Sequence, residues 1–274
     1  MNNETHSAGY QAITAEQLKQ YEETGLLFMR GAIAESDATE MREHLWRGLT
    51  DACRVKRDDA QSWPHGKVTH LQSIQGSAFA KMGSQSLCAA LDTLFGPGGW
   101  QRPSRWGDLL VNFPTPGSRW NVPNQTWHFD VAGSASPAPV AIAFAFLETT
   151  QPGGGGTPVV MGSHRLLHKL AGSELPRLNS PRARRLLTRP NNAWINGLWA
   201  SEIEADRTHR YMERGAVVDG IELKVAEICG APGDVVIMHP HVLHTVAVNS
   251  HSTPRLVLRQ NIYGKAPMTG PAIS

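Results

Sequence analysis

Histidines and an aspartate stand at spacings that could place several metal ligands around one ion. The segment TWHFD holds His128 and Asp130 two residues apart. Residues i and i+2 of a strand project from the same face, so this imidazole and this carboxylate could contact one cation. The later segment HPHVLH adds His239, His241 and His244. These residue types predict a transition-metal site, with three histidines as alternatives for the remaining ligand.

If the metal site belongs to an oxygenase, a buried cationic side chain is also expected. Two histidines and one carboxylate on one face of a metal, with the other positions open, are typical of non-haem Fe(II) oxygenases. These oxygenases commonly use 2-oxoglutarate, whose distal carboxylate requires a planar donor that stays charged when buried. Arg255 and Arg259 are the candidates. HTVAVN is predicted to be a strand and SHSTP a turn, so Arg255 would begin a strand returning antiparallel beside His244, with Arg259 four residues further along.

Two helices and a strand are predicted at the start of the chain. Residues 14–25 combine an N-cap Thr14, a glutamine three residues later, apolar residues at helical spacing and a final glycine. The run LLFMRGAI that follows is predicted to be a strand. Ser36 is predicted to cap a second helix that extends to Leu49.

Short apolar runs separated by proline and glycine fill the chain from Gln101 onward, among them DLLVNF, PVAIAFAFLE and TPVVMG. This rhythm is typical of an all-β sandwich or barrel. Further strands are predicted in residues 225–230, in GDVVIMHP and in RLVLRQNIY. Residues 165–214 interrupt the rhythm, and their length fits either a lid-like insertion over a barrel mouth or a helical excursion on the outside. We expect a single domain over residues 1–274.

Several motifs occur in one order along the chain. They are QYEETGLLFMRGAI, WHFD, GGTPVVMGSHR, and GDVVIMHPHVLH with an arginine eleven residues after its last histidine. This order resembles the phytanoyl-CoA dioxygenase family of Fe(II)/2-oxoglutarate-dependent oxygenases over residues 13–263. The resemblance implies a double-stranded β-helix (jelly roll, cupin-like) that is mainly β with flanking helices. It implies that His128, Asp130 and His244 bind Fe(II) and that Arg255 binds the C5 carboxylate of 2-oxoglutarate.

Further cosubstrate contacts follow from the same resemblance. It implies that Gln125 and Thr157 each form a hydrogen bond with 2-oxoglutarate. The chain departs from the family after the distal histidine, where Thr245 and Val246 replace a glycine and a hydroxyl residue. This departure predicts that one cosubstrate contact is lost or replaced. Phe129, at a position where glutamine is frequent, would give the pocket an apolar wall.

The resemblance implies a reaction that uses Fe(II), 2-oxoglutarate and O₂. The expected outcome is hydroxylation of an unactivated C–H bond in a small-molecule metabolite or natural-product intermediate, with release of succinate and CO₂. Asp130 disfavours halogenation, because related iron halogenases have a small residue in its place. Alternatives that stay open are desaturation, cyclisation or demethylation at the same site, an acyl-CoA or carrier-bound substrate, a hydrolytic zinc site, and an inactive β-helix that serves as a binding module.

Residues that could contact the substrate lie near TWHFD and in the insertion. A mostly apolar pocket could be built from five side chains: Trp120, Asn121, Phe129, Trp194 and Trp199. Three arginines of the insertion could bind an anionic group or form a solvated basic face: Arg207, Arg210 and Arg214. His239 and His241 are expected to be rim or core residues, and His164 is expected to serve the fold.

Composition excludes several classes of partner. The chain has 274 residues, of which 41% are apolar and 18% charged, and is too apolar for disorder. A formal net charge of +2 supplies no bulk field for nucleic acid or an anionic membrane. Cys53, Cys88 and Cys229 lie far apart without a CxxC pair, so neither a thiolate zinc site nor a disulfide framework is expected. We expect a cytoplasmic protein with a small-molecule partner, no nucleic acid and no membrane, with a homodimer as an open alternative.

Overall fold

Antiparallel strands and flanking helices make up the structure, a computed structural model that describes residues 13–130, 140–190, 192–200 and 207–265. Both ends of the predicted 1–274 domain lie outside these ranges. The helices are α1 (Ala15–Thr24), α2 (Glu35–Cys53), α3 (Gln85–Phe95), α4 (Ser163–Ala171), α5 (Ser180–Leu187) and α6 (Ala193–Asn196). The strands are β1 (Leu26–Met29), β2 (Gly66–Val68), β3 (Trp100–Gln101), β4 (Asp108–Phe113), β5 (Val140–Phe146), β6 (Thr157–Met161), β7 (Ala216–Val218), β8 (Ile221–Ile228), β9 (Val235–Met238), β10 (Leu243–His244) and β11 (Arg255–Gly264).

The strands form two sheets. The seven-stranded sheet has the order β1-β9-β5-β11-β4-β2, and β3 also pairs with β11. The four-stranded sheet has the order β10-β6-β8-β7. Strands that are distant in sequence are neighbours in both sheets, which is the pattern of a jelly roll rather than of consecutive hairpins. The predicted fold class, mainly β with flanking helices in a jelly-roll-like arrangement, is confirmed.

Strand β11 is buried on both of its faces. Leu256, Leu258 and Ile262 belong to the core that the large sheet shares with the N-terminal helices. Val257 points to the other side, into the apolar core between the two sheets. Because side chains alternate along a strand, Arg255 and Arg259 share the face of Val257. Both guanidinium groups therefore lie on the side of β11 that faces the second sheet.

Helix α1 forms where capping predicts it. Thr14 and Gln17 form a reciprocal capping box, and Gly25 ends the helix with φ 79°, in the left-handed region that glycine adopts without strain. The second helix differs from its prediction, because α2 begins at Glu35 and its N-cap, Ala34, makes no side-chain hydrogen bond. Ser36 therefore lies in the first turn instead of capping it.

The prediction of a strand at HTVAVN is wrong for every residue after His244. Only Leu243 and His244 are in β10, which pairs with β6. Beyond β10, the Asn249 side chain donates to the carbonyls of Asn112 and Thr253 and so holds the chain in irregular structure. Strand β11 pairs with β4 and β5 in the other sheet. Arg255 is therefore not on a strand beside His244, and it approaches the site from the opposite sheet.

The insertion at residues 165–214 is largely helical and has its own apolar core. Side chains of α4 and α5 pack there with Trp127 and Phe129 of the TWHFD segment. The backbone N–H of Phe129 donates to the Ser180 hydroxyl at 3.4 Å. The insertion thus supports the segment that holds His128 and Asp130. Within the described ranges, no helix is long and apolar enough to cross a membrane.

Arg207 is a buried structural residue of this insertion and not part of a solvated basic face. Its side chain is 1% exposed and donates to four backbone carbonyls. The acceptors belong to Val122, Pro123, Gly197 and Leu198. The guanidinium therefore joins the segment that precedes TWHFD to the insertion.

We expect the substitution Arg207→Met to lower the free energy of unfolding by about 3–5 kcal/mol, because it leaves buried carbonyls without donors. Urea unfolding followed by tryptophan fluorescence measures the change. The matched control is Arg214→Met at an exposed arginine of the same insertion, which is expected to change stability by less than about 0.5 kcal/mol. Equal effects of the two substitutions would contradict the structural role of Arg207.

Candidate functional site

His128, Asp130 and His244 converge at one point of the structure. One possible ligand atom from each lies within 4.8 Å of the others. His128 and His244 form an antiparallel β-bridge in which each backbone N–H donates to the other residue's carbonyl, at 2.9 and 3.0 Å. This bridge brings the imidazole rings to a centroid separation of 4.3 Å. TWHFD is otherwise outside the named strands, so the bridge to His244 sets its register.

Both imidazoles are held in a tautomer that leaves Nε2 able to bind a metal. The Nδ1 of His128 lies 2.7 Å from the Thr126 carbonyl, and the Nδ1 of His244 lies 2.9 Å from the Val242 carbonyl. A carbonyl only accepts, so each Nδ1 carries the proton and each Nε2 carries a lone pair. Backbone carbonyls commonly orient metal-binding histidines in this way.

Asp130 supplies the negative charge of the cluster. One carboxylate oxygen, Oδ2, lies 3.5 Å from Nε2 of His244 and 2.5 Å from an Nη2 donor of Arg259. Partial burial favours the neutral carboxyl, but the neighbouring His244 and Arg259 side chains favour the ionised form and outweigh burial, so the pKa of Asp130 lies well below its usual range. Burial, with the His244 imidazole close by, lowers the pKa of His128. Near pH 7 the site therefore presents an ionised carboxylate and a neutral His128.

A strained turn precedes the first histidine. Thr126 has φ 59°, which is unusual for a β-branched residue and costs roughly 1–3 kcal/mol. Its hydroxyl lies 2.7 Å from the Thr245 hydroxyl, which donates to the Gln125 carbonyl at 2.9 Å. Thr245 directly follows His244, at a position where the phytanoyl-CoA dioxygenase family often has glycine. Its hydroxyl thus ties the chain after His244 to the turn before His128.

A cavity of about 220 Å³ extends from these three side chains. The described residues that line it are Lys67, Leu110, Val111, Asn112, His128, Asp130, Phe144, Gly155, Thr157, His244, Thr245, Val246, Arg255 and Arg259. Exposed Lys67 and Val246 lie in this lining together with the buried Arg255 and Thr157. The cavity therefore has both a solvent-accessible and a buried part.

Arg255 is the buried cation of this cavity. Its Nη2 donates to the Thr157 hydroxyl at 3.0 Å, and its buried Nε has no hydrogen-bond partner among the described residues. Burial lowers the pKa of Arg255 to about 10, an effect that the nearby Glu227 carboxylate opposes, so the guanidinium stays charged near pH 7. A buried charge with an unpartnered donor indicates a binding position for an anion.

Two polar lining residues, Asn112 and Lys67, were missed by the sequence analysis. Asn112 donates to the Ala247 carbonyl at 3.0 Å, and its buried Oδ1 has no partner within the described part of the chain. A single amide in the apolar run DLLVNF was an available signal for a buried polar role. Lys67 of β2 offered no such signal, because its place in the cavity depends on pairing between β2 and β4.

Other predicted site residues lie elsewhere. The Gln125 side chain is exposed and is not among the described residues that line the cavity. The predicted aromatic pocket is not found at the cavity either, because Phe129 is buried in the core of the insertion and Trp120, Trp194 and Trp199 pack against that core. No described residue of 165–214 lines the cavity. The lid function of the insertion thus stays a prediction, as does the contact of Gln125 with the cosubstrate.

The two sheets and the site between them define a jelly-roll protein with a candidate metal centre. The fold is similar to that of the solved "non-heme alpha ketoglutarate dependent carbocyclase SnoK from nogalamycin biosynthesis", with 16% identity, a TM-score of 0.57, and coverage of 95% of this chain and 90% of SnoK. It is also similar to AviO1 from Streptomyces viridochromogenes Tue57, with 13% identity, a TM-score of 0.53, and coverage of 96% of this chain and 99% of AviO1. At these identities the likeness establishes the fold. No family model and no curated protein matches the sequence, so membership of the phytanoyl-CoA dioxygenase family stays a prediction.

Proposed function

We propose that this protein is an Fe(II)- and 2-oxoglutarate-dependent oxygenase that hydroxylates a small molecule. One juxtaposition carries the proposal: three convergent ligands, His128, Asp130 and His244, share a cavity with the buried, incompletely paired Arg255. The first group fits a divalent metal with open positions, and the arginine fits a carboxylate. The shared fold with SnoK, described as alpha ketoglutarate dependent, supports the same class.

Each residue has a distinct role in this proposal. His128 and His244 offer Nε2 lone pairs, and Asp130 offers a carboxylate oxygen, to Fe(II). Arg255, together with the Thr157 hydroxyl, binds the distal carboxylate of 2-oxoglutarate. Fe(II) bound with 2-oxoglutarate and O₂ would supply the oxidative chemistry, coupled to conversion of 2-oxoglutarate to succinate and CO₂.

The protein's own contribution is charge placement and positioning. Arg259 contacts Asp130 at 2.5 Å and orients its carboxylate toward the histidines. Leu110 and Phe144 give the cavity apolar walls, which limit the water around the reacting atoms.

The substrate is proposed to lie at the mouth of the cavity. A volume of about 220 Å³ is smaller than the roughly 300–1,000 Å³ of typical ligand pockets, so a metal ion and a five-carbon dicarboxylate occupy most of it. The target C–H bond then enters past Val246, whose side chain is 49% exposed. Exposed Lys67 also lines the cavity and can meet a polar group of the substrate. Product analysis separates hydroxylation from desaturation, cyclisation or demethylation.

Anaerobic titration of Fe(II) into the metal-free protein tests the proposal. With 2-oxoglutarate present, we expect the weak visible charge-transfer band of the Fe(II)–2-oxoglutarate chelate to appear and to saturate at one iron per chain. A chelate with both components bound to the same site is required for this band, so it reports on the metal and the cosubstrate together.

The matched control keeps every cavity residue and changes an exposed histidine. His65→Ala is expected to give the same band as the unchanged protein, because His65 is exposed and is not among the described residues lining the cavity. Absence of the band in folded protein would overturn the oxygenase proposal.

A further inference from the structure

Four histidines lie together at a second position in the structure. His164 and His168 are one turn apart on α4. His239 and His241 belong to the segment HPHVLH between β9 and β10, where the sequence analysis expected rim or core residues. His239 is 2% exposed and His164 is 5% exposed, while His168 and His241 are partly accessible. Among the residues that the structure describes, none of these four histidines lines the cavity beside His128, Asp130 and His244.

The geometry of this cluster is that of a ligand set. One ring nitrogen from each of His168, His239 and His241 lies within 4.8 Å of the other two. Nε2 of His168 and Nδ1 of His241 are 2.7 Å apart. A tetrahedral zinc site with bonds of about 2.0–2.1 Å separates its ligand nitrogens by about 3.3 Å. A small increase in the distance between these two nitrogens would therefore let both bind one cation in place of the hydrogen bond between them.

The imidazoles of His239 and His241 are neutral near pH 7, as metal binding requires. Burial and the neighbouring histidines lower the pKa of His241 to about 3 and that of His239 well below its usual value. The lone pair at Nδ1 of His239 accepts the backbone N–H of His241 at 3.1 Å, a contact that a cation bound at this nitrogen replaces.

His164 extends the cluster on its buried side. Its Nε2 lies 3.1 Å from the Glu22 carbonyl, which assigns the proton to that nitrogen. The buried Nδ1 then has a lone pair and no hydrogen-bond partner among the described residues. The ring of His164 lies 5.0 Å from that of His239. A fourth imidazole with an unused lone pair thus stands beside the other three.

We propose that His168, His239 and His241 form a second metal site, selective for a borderline divalent ion of the Zn²⁺ type. Three neutral imidazoles without a carboxylate or thiolate match the preference of such ions and not that of Mg²⁺ or Ca²⁺. The partial exposure of His168 and His241 gives the ion a path from solvent and leaves its fourth position to water. The site joins α4 of the insertion to the segment that leads into His244, so a bound ion cross-links two parts of the chain. This inference does not depend on the oxygenase proposal.

The test measures zinc binding in a background without the first cluster. The full-length variant His128→Ala/Asp130→Ala is freed of metal and dialysed against Zn²⁺, and bound zinc is counted by elemental analysis and calorimetry. We expect one equivalent per chain and a rise in the thermal unfolding midpoint at zinc concentrations well above Kd. Adding His168→Gln is expected to weaken binding by more than the roughly tenfold to hundredfold cost of losing an outer-shell partner. Adding His65→Ala is expected to change neither quantity.

Two further measurements keep the test decisive if His168→Gln fails to fold. His241→Asn replaces it as the ligand variant, and X-ray absorption of the zinc-loaded double variant counts bound imidazoles. Three imidazoles support the site. Failure of the double variant to bind zinc, zinc binding unaffected by the ligand variants, or fewer than three bound imidazoles would each overturn it.

Discussion

Asp130→Ala is expected to abolish succinate formation from 2-oxoglutarate. Asp130 is the single carboxylate beside His128 and His244 in the described cluster, and its low pKa keeps it ionised near pH 7. Removing it takes away one ligand and the negative charge that offsets a divalent ion. We expect Fe(II) affinity to fall by more than the roughly 10–100-fold that loss of an outer-shell partner costs. Succinate assay and the anaerobic iron titration measure both effects.

The control for this experiment is Asp58→Ala, which removes an exposed carboxylate and is expected to leave both quantities unchanged. Thermal unfolding of each variant shows that the fold is retained. Succinate formation that persists in Asp130→Ala without added chloride would show that Asp130 is not an obligatory ligand.

Arg255→Gln is expected to raise the 2-oxoglutarate concentration needed for half-saturation by roughly 30-fold to several thousand-fold. The substitution removes a buried, charge-assisted pair with a carboxylate, worth about 2–5 kcal/mol, and each 1.4 kcal/mol corresponds to about tenfold. Iron binding in the absence of 2-oxoglutarate is expected to change little, because Arg255 donates to Thr157 and not to a ligand. Titration of 2-oxoglutarate into the anaerobic Fe(II) protein, followed by the charge-transfer band, measures the shift.

Arg259→Gln is the matched control, since it removes the other guanidinium on the same face of β11. Arg259 contacts Asp130, so its loss is expected to lower Fe(II) affinity by about 10–100-fold as loss of an outer-shell partner. The 2-oxoglutarate requirement at saturating iron is expected to stay close to that of the unchanged protein. The opposite result, with Arg259→Gln raising the requirement and Arg255→Gln leaving it unchanged, would exchange the two assignments.

The different roles proposed for Arg255 and Arg259 follow from their positions on β11. They lie four residues apart on one strand and share one face, so both point toward the second sheet. Arg255 reaches Thr157 on β6, and Arg259 reaches Asp130 beside β10. In the proposed oxygenase, one strand of the large sheet thereby holds the cosubstrate carboxylate and orients the carboxylate that binds the metal.

Local patterns in the sequence predicted several of the elements and part of the candidate site. The capping box at Thr14 and the apolar run of DLLVNF correspond to α1 and β4, because capping and side-chain periodicity act within a few residues. The spacing of His128 and Asp130 indicated a metal site for the same reason. The choice of His244 and of Arg255 came from the resemblance and from strand reasoning, and the structure brings both to one cavity.

Tertiary structure alone decided which strands are neighbours and therefore what each polar side chain meets. The sequence places Arg255 eleven residues after His244 and suggests an adjacent strand, yet β11 pairs with β4 and β5. The sequence suggests that Arg207 is a surface residue. In the structure it is buried, and its guanidinium donates hydrogen bonds to four backbone carbonyls of segments distant in sequence. The four-histidine cluster exists only because α4 packs beside the segment HPHVLH. Contacts between segments far apart in sequence depend on how the whole chain buries its apolar surface. Local periodicity does not indicate which distant segments become neighbours.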